Sequence, residues 1–249
     1  MLARAGRTGL LFILLLLAGL AAAPVRDEAR AAGPGADYVI LGFGDSLMAG
    51  YGLDPADGFT AQLEAALRAE GLAVTVINAG VSGDTTSAGR ARLAWVLDGL
   101  DRRPDLVLLE LGANDALRGI DPAITRANLE AMLTLLAERN LRVLLIGMRA
   151  PPNLGPDYRA RFDAIHPELA ARFGVCLYPF FLDGVAADPA LNQADGIHPN
   201  AAGVREIVAR IAPVVRAALL GGCPGRQGAS AANAEPAGKA DEPAGGGRR

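Results

Sequence analysis

The amino-acid sequence is expected to fold as one flavodoxin-like, three-layer α/β/α domain with a five-stranded parallel sheet, and three observations predict it. Short apolar runs alternate with stretches of helical periodicity, the order of a parallel sheet whose right-handed crossovers place helices on both faces. The runs are almost continuously apolar, as in strands buried on both sides. The segment that carries them, residues 37–220, has the length of a single domain and contains no internal repeat.

Taken in order, Tyr38–Phe43, Ala73–Asn78, Leu106–Leu111, Arg142–Met148 and Val175–Tyr178 read as the five strands, bounded by Gly, Asn or Pro. Helical spacing runs through Phe59–Arg68, Ala88–Leu97, Ile124–Glu138 and Arg159–Arg172. Val204, Ile207, Val208, Ile211 and Val215 form the apolar stripe of a closing helix. In such a sheet the loops leaving the carboxyl ends of the strands meet in one crevice, where chemistry is expected.

The two ends of the chain read differently. Arg4 and Arg7 precede an uncharged run, Thr8–Val25, with an apolar heart at Leu10–Leu20 and the small residues Ala21, Ala22 and Ala23 after it. That is the order of a secretory signal, so residues 1–32 are expected to be a signal peptide with a short leader, and the mature protein to be periplasmic or secreted. Pro24 disfavours cleavage directly before it and points to a cut near Ala31 and Ala32, or to a retained anchor as the alternative. A cut before Arg26 removes two arginines and no acid, and one near Ala32 removes four arginines and two acids, so either takes the net charge from −3 to −5. Residues 221–249 are Gly-, Ala- and Pro-rich, with no large apolar residue to offset their ordering entropy, and are expected to be a disordered tail.

The chain of 249 residues is 51% hydrophobic and 20% charged, enough apolar material for a full core. Among its 24 basic residues Lys239 is the one lysine and no basic stripe occurs, so nucleic acid is excluded as a partner. Two cysteines and two histidines are too few for a disulfide scaffold or a clustered metal centre. Export would let Cys176 and Cys223 pair. The plainer expectation is that Cys176 is a small buried hydrophobe and that Cys223 opens the tail.

The loops carry the chemistry. After the first strand comes Gly42-Phe43-Gly44-Asp45-Ser46-Leu47, a sharp turn that would lift Ser46 into the crevice, although a serine there also serves as a helix cap. The dinucleotide fingerprint fails because Leu47 stands where its third glycine is needed, and the Gly-x-Ser-x-Gly elbow is absent. After the second strand, Asn78–Thr86 bends at Gly83, whose backbone N–H could face the crevice, or is simply turn chemistry. After the third, Asn114 offers a neutral amide donor, or Asn114-Asp115 is only a turn. Asp195-Gly196-Ile197-His198-Pro199 precedes the closing helix and decides among these readings. An aspartate three residues before a histidine can hold one imidazole nitrogen while the other faces away, and serine needs such a base to become nucleophilic.

Gly44-Asp45-Ser46-Leu47, Gly83, Gly112-x-Asn114-Asp115 and Asp195-x-x-His198 resemble, in order, the four blocks of the SGNH (GDSL) hydrolases. The longer strings GDSLMAGYGL, NAGVSGDTTSAG, LELGANDALRG, MRAPPN and QADGIHPN are similar to the bacterial acyl-CoA thioesterase I, lysophospholipase and arylesterase branch of that family. The resemblance implies a nucleophile at Ser46, a base at His198 and an orienting carboxylate at Asp195. It also implies an oxyanion hole made by the Ser46 and Gly83 amides and the Asn114 side chain. The substrate implied is a small-molecule or lipid acyl ester or thioester, bound near Leu117, Pro151 and Leu154, with no metal or other cofactor. A monomer without a stable membrane span after signal removal is expected. Ala116 and Leu154 depart from the family pattern, where Gly and an aromatic are usual, so the acyl preference stays open. Deacetylation of sugars or cell-wall polymers and a non-catalytic exported binding protein are the alternatives.

Overall fold

The computed structural model of the chain describes residues 37–223. The expected signal segment, and the tail beyond residue 223, lie outside the described residues. The five strands are β1 (Tyr38–Gly44), β2 (Val74–Gly80), β3 (Leu106–Glu110), β4 (Val143–Ile146) and β5 (Cys176–Tyr178). All pair in parallel in the order β2-β1-β3-β4-β5. The order reverses between β1 and β3, and at such a switch point the loops of two neighbouring strands diverge and leave a crevice.

The helices are α1 (Ser46–Ala49), α2 (Phe59–Ala69), α3 (Thr86–Asp98), α4 (Ala113–Leu117), α5 (Pro122–Glu138), α6 (Pro156–Asp163), α7 (Ile165–Phe173) and α8 (Ala201–Leu219). Helices α2 and α8 pack together, while α5 packs against α3 and α7. The core between these layers and the sheet holds Ile40, Leu41, Leu106–Leu109 and Val143–Ile146. The α8 stripe of Val204, Ile207, Val208, Ile211 and Val215 is buried as its spacing predicts. Among the described residues no helix is long and apolar enough to cross a membrane.

Three expectations are corrected. The helix expected over Arg159–Arg172 is broken at Ala164 into α6 and α7. Pro167 has no N–H to give the carbonyl of Asp163 and its ring would strike that carbonyl, so the helix restarts with Pro167 in its first turn. Short helices α1 and α4 follow β1 and β3 directly, where turns were expected. Finally, Cys176 and Cys223 are joined in a disulfide with their Cα atoms 5.3 Å apart. Helix α8 starts beside the carboxyl edge of the sheet and ends at its amino edge, where the Leu219 carbonyl accepts from Arg142 ahead of β4. That path brings Cys223 to the first residue of β5 and ties residues 221–223 to the domain.

Candidate active site

Ser46 opens α1 directly after β1, and its own amide has no intrahelical acceptor at that position. The Asp45 carboxylate caps the helix by accepting from the Leu47 amide at 3.0 Å. The turn is tight because Gly44 lacks a side chain: a Cβ there would lie 2.4 Å from Glu110 Oε2 and 2.8 Å from the Met48 Cβ. Close packing, not a phosphate, explains the paired glycines of this loop.

His198 arrives from the far end of the chain on a segment fixed by amides. The Gln193 N–H donates to the His198 carbonyl at 2.7 Å, and the Gln193 side chain donates to the carbonyls of Pro199 and Tyr51. Asn200 caps α8 by accepting from Ala202 and Gly203. Thus anchored, His198 Nε2 lies 2.9 Å from Ser46 Oγ and Nδ1 lies 2.7 Å from Asp195 Oδ2. The other Asp195 oxygen accepts the amides of Ile197 and His198 at 3.0 Å each. The hydrogen bond from His198, then these two amides, hold Asp195 down at about 2. An ionised Asp195 fixes the imidazole proton on Nδ1 and leaves Nε2 as the acceptor for the Ser46 hydroxyl. The Tyr51 ring lies against the imidazole, with centroids 4.6 Å apart.

Two further loops close on the same edge. Gly83 has φ +85, a backbone that favours glycine, and its N–H donates to no acceptor among the described residues. Arg92 braces this loop against the first: its Nε donates to Asp84 at 2.6 Å, its Nη2 to the Gly44 carbonyl at 2.9 Å, and its guanidinium stacks 4.0 Å from the Phe43 centroid. Arg118 donates to the Gly83 carbonyl at 2.9 Å. Asn114, in α4, donates one amide hydrogen to Asp45 Oδ2 at 3.1 Å, and its second has no acceptor among the described residues. Buried Asp115 accepts from the Thr86 amide and the Thr125 hydroxyl, pinning α3 and α5 to α4. Among the described residues no three His, Cys, Asp or Glu side chains gather into a metal-binding group.

Ser46, Gly83, Asn114, Asp195 and His198 therefore lie at one edge of the sheet, in the segments that follow β1, β2 and β3 and in the turn before α8. Leu117, Pro151 and Leu154, expected near the substrate, do not line the cleft at Ser46. Leu117 is exposed and Pro151 and Leu154 are half-buried, while the cleft that touches Ser46 and His198 is lined by Leu47, Tyr51, Leu53, Phe59 and Phe181. That cleft is narrow and lined mostly by apolar side chains. Sequence reasoning also passed over Glu110, Arg92 and Arg118. An acid closing an otherwise apolar strand was the one available signal for Glu110.

Residues 43–206 match the GDSL-like lipase/acylhydrolase family. The chain belongs to this family. Esterase TesA of Pseudomonas aeruginosa is 38% identical over 205 residues, which cover 82% of this chain and 98% of that protein. The thioesterase 1/protease 1/lysophospholipase L1 of Escherichia coli is 41% identical over 165 residues, covering 66% of this chain and 76% of the relative. Among solved structures, the GDSL-like fold is shared with the SGNH-hydrolase family esterase AlinE4, at 51% identity and a TM-score of 0.64 over 73% of this chain and 96% of that one.

Proposed function

We propose that this GDSL-like hydrolase cleaves carboxylic esters and thioesters, including acyl-CoA thioesters, lysophospholipids and aryl esters, through an acyl-enzyme on Ser46. The observation that carries the reading is the 2.9 Å approach of Ser46 Oγ to His198 Nε2, with Asp195 bound to the opposite nitrogen. Ester hydrolysis comes with family membership, and the relatives named as esterase and as thioesterase and lysophospholipase support the substrate range.

In the proposed reaction Ser46 Oγ attacks the carbonyl carbon as its proton passes to His198 Nε2, and Asp195 stabilises the imidazolium. The amides of Ser46 and Gly83 and the free Asn114 hydrogen receive the oxyanion. His198 returns the proton to the leaving oxygen or sulfur as the carbon–heteroatom bond breaks. Water, deprotonated by the same imidazole, then releases the acid and restores Ser46. Acyl chains too large for the cleft at Ser46 would extend toward Leu117, Pro151 and Leu154.

The protein is read as an exported, periplasmic or secreted monomer that binds no nucleic acid. The charge order of residues 1–32 and the Cys176–Cys223 disulfide, which persists in oxidising compartments, support export. Removal of acetyl groups from sugars or wall polymers is the alternative reading of the same Ser46–His198 pair. Labelling the full chain with a fluorophosphonate should modify Ser46, and Ser46→Ala should abolish both labelling and p-nitrophenyl ester hydrolysis. Unlabelled Ser46 would leave an exported binding protein on this scaffold. A panel of aryl esters, acyl-CoA thioesters, lysophospholipids and acetylated sugars separates the substrate classes.

A further inference from the structure

Glu110 closes β3 with no exposed surface, beneath the turn that presents Ser46. Its Oε2 accepts the Asp45 amide at 3.2 Å, and its Oε1 has no partner among the described residues. Asp45 is equally buried, but its carboxylate accepts two donors, the Leu47 amide and the Asn114 side chain. Two neighbouring carboxyls buried from solvent do not both ionise, and the negative charge settles on the one with more donors. Asp45 faces Asn114, His198 and Asp84 as well as Glu110, whereas the charged neighbour of Glu110 is Asp45.

We propose that Glu110 is a positioning residue for hydrolysis: as a neutral acid it holds the Asp45 amide and leaves the negative charge of this carboxyl pair on Asp45, which aims Asn114 at the oxyanion. The proposal rests on the reading of Ser46 and Asn114 given above. The directions agree, since burial and the Asp45 charge hold Glu110 well above the carboxylate range while Asp45 is raised only to about 6. Glycine at position 44 is part of the arrangement, because any side chain there would displace the Glu110 carboxyl.

Three measurements on the full chain test this. With glutamate side-chain carboxyls labelled with carbon-13, one NMR signal should stay at the protonated position well above the usual carboxylate range, and vanish in Glu110→Gln. Glu110→Leu should lower kcat about tenfold with KM unchanged, the loss of one aligned hydrogen bond, and Glu110→Gln, which keeps a carbonyl oxygen, should recover most of it. In an Asn114→Ala background the same leucine substitution should cost less than about twofold, because the group being aimed is gone. If Glu110→Leu does not fold, Glu110→Asp, whose shorter reach withdraws the acceptor, replaces it. A glutamate set that titrates wholly in the ordinary range, a Gln variant as slow as Leu, or an undiminished effect without Asn114 each overturns the proposal. Fluorophosphonate labelling of wild-type Ser46 is scored separately. Its failure removes the underlying reading, whereas normal labelling with unchanged Glu110 variants removes this inference alone.

Discussion

The side-chain amide of Asn114 donates to the carboxylate of Asp45 across 3.1 Å, joining residues 69 positions apart on the loops of neighbouring strands. The bond commits one amide hydrogen and so directs the other. Burial pushes Asp45 up to about 6, so acidification below that pH removes the charge that holds Asn114. We expect Asn114→Ala to lower kcat about a hundredfold near pH 8. The factor should shrink severalfold near pH 5, about a unit below the Asp45 pKa. Paired rate profiles check it, and an Asn114→Ala to wild-type ratio independent of pH would dissociate Asp45 from the contribution of Asn114.

Arg92 connects the first and second loops through Gly44 and Asp84, with its side chain 19% exposed and that of Asp84 11%. Removing the guanidinium leaves Asp84 with its charge unpaired and the Gly44 carbonyl without this donor. Arg92→Met should therefore lower unfolding free energy by about 2–4 kcal/mol in urea denaturation, the partial exposure placing it at or below the range for a broken buried pair. Adding Asp84→Asn should return part of that loss, because the stranded charge is then gone. Additive effects in the double variant would mean the pair is not coupled.

What the sequence disclosed, and what it hid, follows from how local each signal is. Strands buried on both faces write themselves as apolar runs, so Leu106–Glu110 and Val143–Ile146 were legible. The approach of Ser46, Asp195 and His198 to one another was legible because Gly44–Leu47 and Asp195–Pro199 carry residue types that serve one chemistry. The break before α7 was also written in the sequence, in Pro167, but the helical spacing around it masked the stop. Glu110 and Arg92 were not legible: each matters through a contact 65 or 48 positions away, with Asp45 or Gly44. The disulfide was hidden in the same way, since the length and direction of α8 decide where Cys223 arrives.

That disulfide closes a sequence separation of 47 residues. In the chain-entropy account, a loop of that size stabilises the fold by about 4 kcal/mol. Reduction, or the pair Cys176→Ser with Cys223→Ser, should lower the urea midpoint accordingly. Turnover below that midpoint should not change, because Cys176 opens β5 at the amino edge while Ser46 lies past the carboxyl end of β1. Loss of kcat in a fully folded reduced enzyme would contradict this separation of the two edges.

His166 and Asp45 are buried groups whose titrations pull stability in opposite directions. The His166 Nε2 lies 3.2 Å from the Leu111 carbonyl, to which it donates, and Nδ1 has no partner among the described residues. Burial lowers its pKa from an ordinary 6.5 to about 4. Between those values the unfolded chain binds a proton that the folded chain refuses. The associated stability, about 3 kcal/mol, is complete above the unfolded pKa and lost as pH falls toward the folded one. Asp45 is raised from 3.8 to about 6, so there the folded chain keeps the proton longer, and stability falls by about 3 kcal/mol as pH rises across that window. Glu110 shares the sign of Asp45. His166→Phe should gain on the wild type as pH falls from about 6.5 to about 4, whatever its offset at neutral pH, and Asp45→Asn should lose ground over the same range. Urea midpoints at several pH values check both slopes. Variant and wild-type curves that run parallel would mean that neither group changes its proton affinity on folding.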